Sequence, residues 1–116
     1  MSNPPSLVRT VVSVNDLAQA LGLYVDVLGL SLEHRSDDLA TLGTGGGIGV
    51  MLHERETPEP GHAVSLTFAV EALDEVVAAW REAGGAIVDE PARQPWGEVM
   101  SVVRDHDGHV VCLLQV

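Results

Sequence analysis

The second half of this chain repeats the first, and this repeat limits the possible folds more than any other feature of the sequence. The matched pairs are Val14 with Val70, Leu17 with Leu73, Leu21 with Val77 and Tyr24 with Trp80 at a spacing of 56 residues, and Gly47 with Gly108 and Met51 with Cys112 at a spacing of 61 residues. A repeat of this kind is one supersecondary unit that cannot bury its own apolar face. The two units are therefore expected to pack against each other.

Each unit has the pattern of a β-α-β-β-β module. Apolar residues alternate along the runs assigned to strands and recur every three or four residues along the assigned helices. In the first module the predicted strands are Leu7–Val14, Leu30–His34, Leu39–Leu42 and Ile48–His53, with a helix capped by Asn15 or Asp16 that runs to about Leu28 and is ended by Gly29. In the second module they are Ala63–Val70, Ala86–Asp89, Val99–Arg104 and Val110–Val116, with a helix over Ala72–Ala83.

The predicted fold class is α+β in a single domain over residues 7–116. Its modules span about 7–54 and 62–116, and a polar linker with two prolines joins them. A chain of 116 residues is long enough for one compact core and too short for two conventional domains. Two modules side by side would form a curved eight-stranded mixed sheet around a cleft, with the helices outside.

The last two strands predict a hairpin that carries most of the functional argument. Asp107-Gly108 favours a tight turn in which both central residues have positive φ. Alternation along the last strand places Val110, Cys112 and Leu114 on one face and Val111, Leu113 and Gln115 on the other.

Charge and composition exclude several classes of function. Seventeen acidic against six basic residues give a formal charge of -11, which repels nucleic-acid phosphates and anionic membranes and is weakly compatible with a cationic ligand. The one cysteine excludes an internal disulfide and a thiolate metal cluster. The start has no secretory signal, and no apolar run is long enough to span a bilayer. We expect a cytoplasmic protein.

The hairpin also resembles a known family signature. Arg104–His109 reads RDHDGH, which is similar to the closing R-D-P-D-G-N motif of the vicinal oxygen chelate superfamily, with His106 in place of Pro and His109 in place of Asn. Asp16-Leu17, Tyr24 and Leu28-Gly29-Leu30 match the pattern of the family's first helix. The superfamily includes glyoxalase I, extradiol dioxygenases, fosfomycin-resistance enzymes and bleomycin-resistance proteins, and the resemblance covers the chain from Leu7 onward.

The resemblance implies where a metal would bind. In metal-using members four ligands, commonly His or Gln and Glu, come from the first and last strands of each module. The matching positions here are Arg9, Met51, Ser65 and Cys112. Only Cys112 could ligate a divalent ion, and Arg9 would repel one. We therefore expect no metal, no cofactor and no catalytic residue.

The histidines do not supply an alternative metal site. His62 has the parity of the helix-facing side, His34 closes a strand, and His53 has the parity of Met51 and could line the mouth of the cleft. His106 and His109 are expected in solvent beside the hairpin turn. One histidine at the cleft does not make a metal site.

Inward parity predicts which residues line the cleft. The candidate ligand-binding residues are Arg9, Val11, Ser13, Met51, His53, Ser65, Thr67, Val110 and Cys112, with Trp96 near the mouth. Arg9 is either an ordinary strand-end residue or a clamp for an anionic group, and Trp96 either covers the edge of the core or stacks on a ligand. A mostly apolar lining with hydroxyl groups suits a mixed-charge metabolite with an aromatic body.

These residues favour a metal-independent small-molecule binding protein of the bleomycin-resistance type. Such a protein would sequester an antibiotic or metabolite and is expected to form a homodimer, since one helix per module leaves sheet surface uncovered. Two alternatives remain open. One is a lyase, isomerase or dioxygenase whose metal site is atypical or absent, and the other is a regulatory or scaffolding dimer.

Overall fold

The computed structural model describes residues 8–61 and 65–116. The strands are β1 Arg9–Val14, β2 Ser31–Arg35, β3 Leu39–Gly43, β4 Gly49–Glu54, β5 Leu66–Val70, β6 Ala86–Arg93, β7 Val99–Arg104 and β8 Val110–Gln115. The helices are α1 Leu17–Leu21, which continues as a π-helical segment over Gly22–Val27, and α2 Leu73–Glu82. The predicted strand starts at Leu7 and Ala63, and the predicted position of His62, lie outside the described ranges. No helix in these ranges is long and apolar enough to cross a membrane.

The strands form two four-stranded mixed sheets, ordered β1-β4-β3-β2 and β5-β8-β7-β6. In each sheet the first strand of the module runs parallel to the last, and the remaining pairs are antiparallel. The predicted α+β class and the two βαβββ modules are confirmed. Hydrogen bonding divides the eight strands into these two sheets, so β1 and β5 are both edge strands.

The repeat is also visible in single hydrogen bonds. The backbone N–H of Leu17, at the start of α1, donates to Oε2 of Glu54 at 2.7 Å. The N–H of Leu73, at the start of α2, donates to Oε1 of Gln115 at 2.9 Å. Each side chain comes from the end of its module's last strand and satisfies a donor that a helix start leaves unpaired. The two modules therefore hold their helices by the same interaction.

The type of the first helix and the length of β6 differ most from the prediction. The first helix begins and ends as expected, because Oδ1 of Asp16 accepts from the N–H of Gln19 at 3.0 Å and Gly29 has φ +89°. Its second part is π-helical, which no periodicity indicated. Strand β6 runs past the predicted end at Asp89 to Arg93. Pro91 is tolerated inside it because β6 is an edge strand, where a missing N–H costs no sheet hydrogen bond.

Both helices and the inner faces of both sheets share one apolar core. At its centre the rings of Tyr24 and Trp80 meet edge to face, with centroids 6.3 Å apart at 79°. Nε1 of Trp80 donates to the carbonyl of Arg104 at 2.8 Å. A Cβ at Gly85 would lie 2.2 Å from the same nitrogen, so this position requires glycine. The outer faces of the sheets are turned away from this core.

The turn Asp105–His109, which we call the latch turn, joins the second module to the first. Asp105 is 5% exposed, and its Oδ2 accepts from the hydroxyl of Tyr24 at 2.9 Å. Its Oδ1 accepts from the N–H groups of Asp107 and His109 at 3.0 and 2.9 Å. A buried carboxylate is stable only when its oxygens are hydrogen-bonded in this way. The latch turn is thus fixed from within and from the other module.

The rest of the latch turn corrects two expectations. His106 and His109 are half-buried rather than in solvent, with Nε2 atoms at 2.9 Å from the carbonyl of Ala83 and 2.5 Å from that of Ser13. Only Gly108 has positive φ, +86°, so the expectation of positive φ at Asp107 is wrong. The carboxylate of Asp105 holds the loop in a longer form than a two-residue turn.

The Tyr24–Asp105 contact predicts how stability depends on pH. Burial, and then the charge and hydrogen bond of Asp105, raise the pKa of Tyr24 well above its usual value. Tyr24 thus stabilises the native state below about pH 10, where the unfolded chain also keeps the proton, and this contribution is lost as pH rises through the raised native pKa. Tyr24 is the one tyrosine, so tyrosinate absorbance reports it alone. We expect no tyrosinate until the protein unfolds.

The control is Tyr24→Phe, which removes the donor to Oδ2 of Asp105 and leaves the two N–H donors to Oδ1 in place. We expect it to cost about 1–3 kcal/mol in urea unfolding at neutral pH and to remove part of the fall in stability above about pH 10. A reversible tyrosinate signal near pH 10 with the native circular dichroism intact would contradict this account.

Candidate functional site

The outer face of each sheet, opposite the helices, is the candidate binding surface. Its central strands present mainly apolar and hydroxyl side chains, and 49% of the Val11 surface is exposed. Strands β1, β3, β4, β5, β7 and β8 carry no acidic side chain on this face, although the chain has seventeen acidic residues. The acidic residues nearby, Glu33, Asp89 and Glu90, lie on the edge strands β2 and β6. An exposed sheet face normally carries polar and charged groups along its length, so this surface is suited to contact.

In the first module the predicted residues form two groups. Val11 lies opposite Met51, and Ser13 lies opposite His53. Arg9 and Met51 line a depression of about 360 Å³ together with Glu33. Ser13 and His53 contact other groups, since Oγ of Ser13 accepts from Nε of Arg55 at 2.6 Å and the ring of His53 lies 3.8 Å from the carboxylate of Asp38.

In the second module Thr67 lies opposite Cys112, and Oγ of Ser65 is 4.0 Å from Sγ of Cys112. Ser65 and Cys112 occupy the third and fourth positions of the family's ligand set, so the fold brings these two positions together. The thiol has no basic partner in the described contacts around it. The hydroxyl and thiol form a polar point on an otherwise apolar stretch of sheet.

Two adjoining cavities lie between the modules, where edge strands β1 and β5 face each other. The larger, which we call the inter-module cavity, is about 500 Å³, and the smaller is about 330 Å³. Both are lined by Thr10, Ser65 and Leu66. The smaller one brings Val11 and Val110 from different modules to one place, and the larger one includes Thr67.

Trp96 lies apart from these cavities. It is 65% exposed in the β6–β7 turn, and its Nε1 donates to Oε1 of Glu98 at 2.6 Å, which fixes the ring. It lines a depression of about 430 Å³ with Asp89, Glu90 and Met100. Within one chain Arg9 and Trp96 therefore face different depressions, and a single small ligand does not reach both.

Sequence reasoning missed Thr10, Leu66 and Tyr24 as lining residues. Strand parity assigns Thr10 and Leu66 to the core side, and the apolar stripe of the first helix assigns Tyr24 to the core. Because β1 and β5 are sheet edges, their core-side residues border an open space instead. The arrangement of the two sheets could not be read from alternation, so no local signal would have identified these residues.

The four positions that the family uses for a metal do not fit one here. They carry a guanidinium, a thioether, a hydroxyl and a thiol, on Arg9, Met51, Ser65 and Cys112. Among residues 8–61 and 65–116, no group of three His, Cys, Asp or Glu side chains lies close enough together to hold an ion. A catalytic divalent site needs about three such ligands. No chemical step through a metal is therefore derived.

Comparison with known proteins agrees with this geometry. A model of the Glyoxalase/Bleomycin resistance protein/Dioxygenase superfamily matches residues 6–113. A sequence search of curated proteins finds no match. A hypothetical protein from S. aureus is 26% identical with a TM-score of 0.80, covering 99% of this chain and 100% of the other.

Two further structures share the fold. One is a glyoxalase/bleomycin resistance protein/dioxygenase family enzyme from Burkholderia phytofirmans PsJN, at 20% identity and a TM-score of 0.84, covering 97% of this chain and 99% of that one. The other is a lactoylglutathione lyase from Agrobacterium tumefaciens, at 21% identity and a TM-score of 0.72, covering 97% and 96%. At these identities the likeness concerns architecture and not activity.

The ligand chemistry at the four positions predicts the metal content. We expect elemental analysis of protein purified without chelator or added metal to find no stoichiometric Zn, Ni, Mn or Fe. The control is the same protein incubated with excess zinc and desalted, which should lose the ion because too few ligands hold it. One equivalent per chain that survives desalting would contradict the prediction.

Proposed function

The chain belongs to the Glyoxalase/Bleomycin resistance protein/Dioxygenase superfamily, and from this we propose that it binds a small organic molecule on the outer faces of its sheets without a metal ion. The observation that carries the proposal is the absence of acidic side chains from the outer faces of β1, β3, β4, β5, β7 and β8. In a chain of net charge -11, solvation alone would have placed carboxylates there.

The chemistry of the face indicates the kind of ligand. Val11, Met51, Val102 and Leu114 offer apolar area, and Thr67 with its neighbours offers hydroxyl groups. This combination suits a molecule with an apolar or aromatic body and a few hydrogen-bonding groups. The carboxylate of Asp89 in the depression beside Trp96 favours a cationic group at the rim, whereas that of Glu90 is paired with Arg81. The overall charge speeds the arrival of a cation.

A second copy of the chain would complete the site. The candidate residues lie in separate depressions within one chain, and nearly half of the Val11 side chain is exposed. Covering this apolar surface with the outer face of another copy removes it from water and places the depressions of two chains opposite each other. The proposed form is a homodimer with its ligand between the sheets.

Sequestration agrees better with these residues than turnover does. Cys112 lies beside the hydroxyl of Ser65 rather than a base, which leaves its thiol unactivated. The enzyme alternative requires a group on the outer face that can move a proton, and His53 is its one histidine on the central strands. An assay for chemical conversion of the bound compound distinguishes sequestration from catalysis.

Ligand binding is tested by melting shifts with a panel of glycopeptide antibiotics, aromatic antibiotics and simple keto acids. We expect an aromatic compound with a cationic group to raise the melting temperature, and Thr67→Glu to weaken its binding at least tenfold, about 1.4 kcal/mol. The added carboxylate must be desolvated on the contact face. Ala18→Glu, on the exposed side of α1, is the matched control and should bind as the wild type does. A panel in which only a keto acid binds, and is converted, would favour the enzyme.

The dimer is tested by sedimentation. We expect a species of twice the 12.3 kDa chain mass at micromolar concentration, and a shift toward monomer in Val11→Glu, because a charge would then lie in the apolar contact. Glu placed at Ala18 should leave the dimer intact. A monomer of the wild type at high micromolar concentration would refute the dimer.

A further inference from the structure

We infer that the inter-module cavity is a second binding site, which takes an uncharged, mainly apolar molecule. It lies between the inner face of the first sheet and the edge strand β5, so it is separate from the outer face of the first sheet, while Ser65 and Thr67 border both the cavity and the outer face of the second sheet. Its volume of about 500 Å³ is within the range of small-molecule sites. The inference does not depend on the function proposed above.

The repeat explains why the cavity is open. In the second module, His106 of the latch turn reaches the end of α2, where its Nε2 lies 2.9 Å from the carbonyl of Ala83. The equivalent turn of the first module is Thr44–Ile48, with Gly47 at φ +84° where Gly108 has φ +86°. Gly45 therefore stands where His106 stands.

The missing side chain coincides with the cavity. Leu28 is the first-module counterpart of Ala83, because each precedes the positive-φ glycine that ends its helix. Gly45 and Leu28 both line the inter-module cavity. A Cβ at Gly45 would meet no heavy atom within 4 Å. The space that a histidine fills in one module is thus left empty in the other.

The lining determines the class of ligand. Its described side chains are aliphatic, aromatic or hydroxyl groups, such as those of Leu30, Ile48 and Phe68, and none is charged. A charged ligand would lose its hydration there without gaining a partner, and the net charge of the chain adds repulsion for an anion. A neutral molecule is therefore favoured.

The edge strand adds hydrogen-bonding capacity. Among residues 8–61 and 65–116, β5 pairs only with β8, so alternate backbone N–H and C=O groups of the strand point away from that neighbour, toward the cavity. Thr10 of β1 and Ser65, which directly precedes β5, also line the cavity and carry hydroxyl groups. The preferred ligand has an apolar body with carbonyl or hydroxyl groups along one side.

The test compares two probes with the same ring skeleton. N-phenyl-1-naphthylamine is neutral, and 8-anilinonaphthalene-1-sulfonate carries a sulfonate. We expect the neutral probe to give a saturable fluorescence increase with one site per chain, and the sulfonate to bind at least tenfold more weakly. Equal binding of the two probes would overturn the inference, because the described lining of the cavity offers no cationic group to the sulfonate.

Gly45→His locates the site by giving the first module the side chain of the second. We expect it to weaken binding of the neutral probe at least tenfold, while Ala18→His, the same side chain on the exposed face of α1, has no effect. Gly46→Phe is a second blocking variant at a position that also has open space and no positive φ. If Gly45→His does not fold, Gly46→Phe still tests whether the probe binds in this cavity.

Binding at the outer face gives the opposite pattern. If Met51→Glu on the outer face abolishes the probe signal while both glycine variants bind normally, the probe occupies the outer face and the inter-module site does not exist. Loss of binding in both glycine variants with Met51→Glu unaffected supports the inference. The dimer is tested independently of the cavity, because sedimentation measures mass and the probe titration measures affinity.

Discussion

The hydrogen bond between the Tyr24 hydroxyl and the Asp105 carboxylate supports the arrangement of the whole chain. It joins the first helix to the latch turn, beside the edge-to-face contact of Tyr24 with Trp80. Asp105 is buried, so each donor that it accepts from offsets part of the cost of removing a carboxylate from water. The contact joins the two modules, together with the hydrogen bonds of Asn15 to Asp107 and of His109 to the carbonyl of Ser13. These contacts help to place β1 relative to β5, between which both inter-module cavities lie.

Sequence patterns within a few residues predicted those features of the fold that depend only on neighbouring residues, such as strand faces and helix ends. Alternation correctly separated Val111 and Leu113 from Cys112 and Leu114, because a strand with neighbours on both sides has a fixed side-chain period. Asp16 and Gly29 bound the first helix for reasons within a single turn of chain. The extension of β6 through Pro91 and the inward position of His109 depend on distant contacts. No window of sequence contains them.

The candidate site was likewise predictable only in part: the strand faces followed from alternation, and the cavities did not. The parity sets correctly assigned Met51 and Thr67 to the faces opposite the helices, and their role in binding stays a prediction. The depressions themselves depend on where two sheet edges lie relative to each other. Thr10 and Leu66 could not be anticipated as lining residues, because the repeat shows that the modules are alike without showing how they meet. The opening at Gly45 becomes visible only when its turn is superposed on the latch turn.

The π-helical segment reflects a difference in length between the helices of the two modules. Residues up to Tyr24 keep the spacing of 56 to the second half, whereas Gly29 precedes Gly84 by 55, so the first helix holds one residue more. The wider ring, in which the N–H of Leu28 donates to the carbonyl of Leu23 at 2.9 Å, absorbs that residue within a single turn. An insertion in an ordinary helix would have rotated everything after it by about 100°. Here the first helix holds one residue more than the second, and each still ends at a glycine with positive φ.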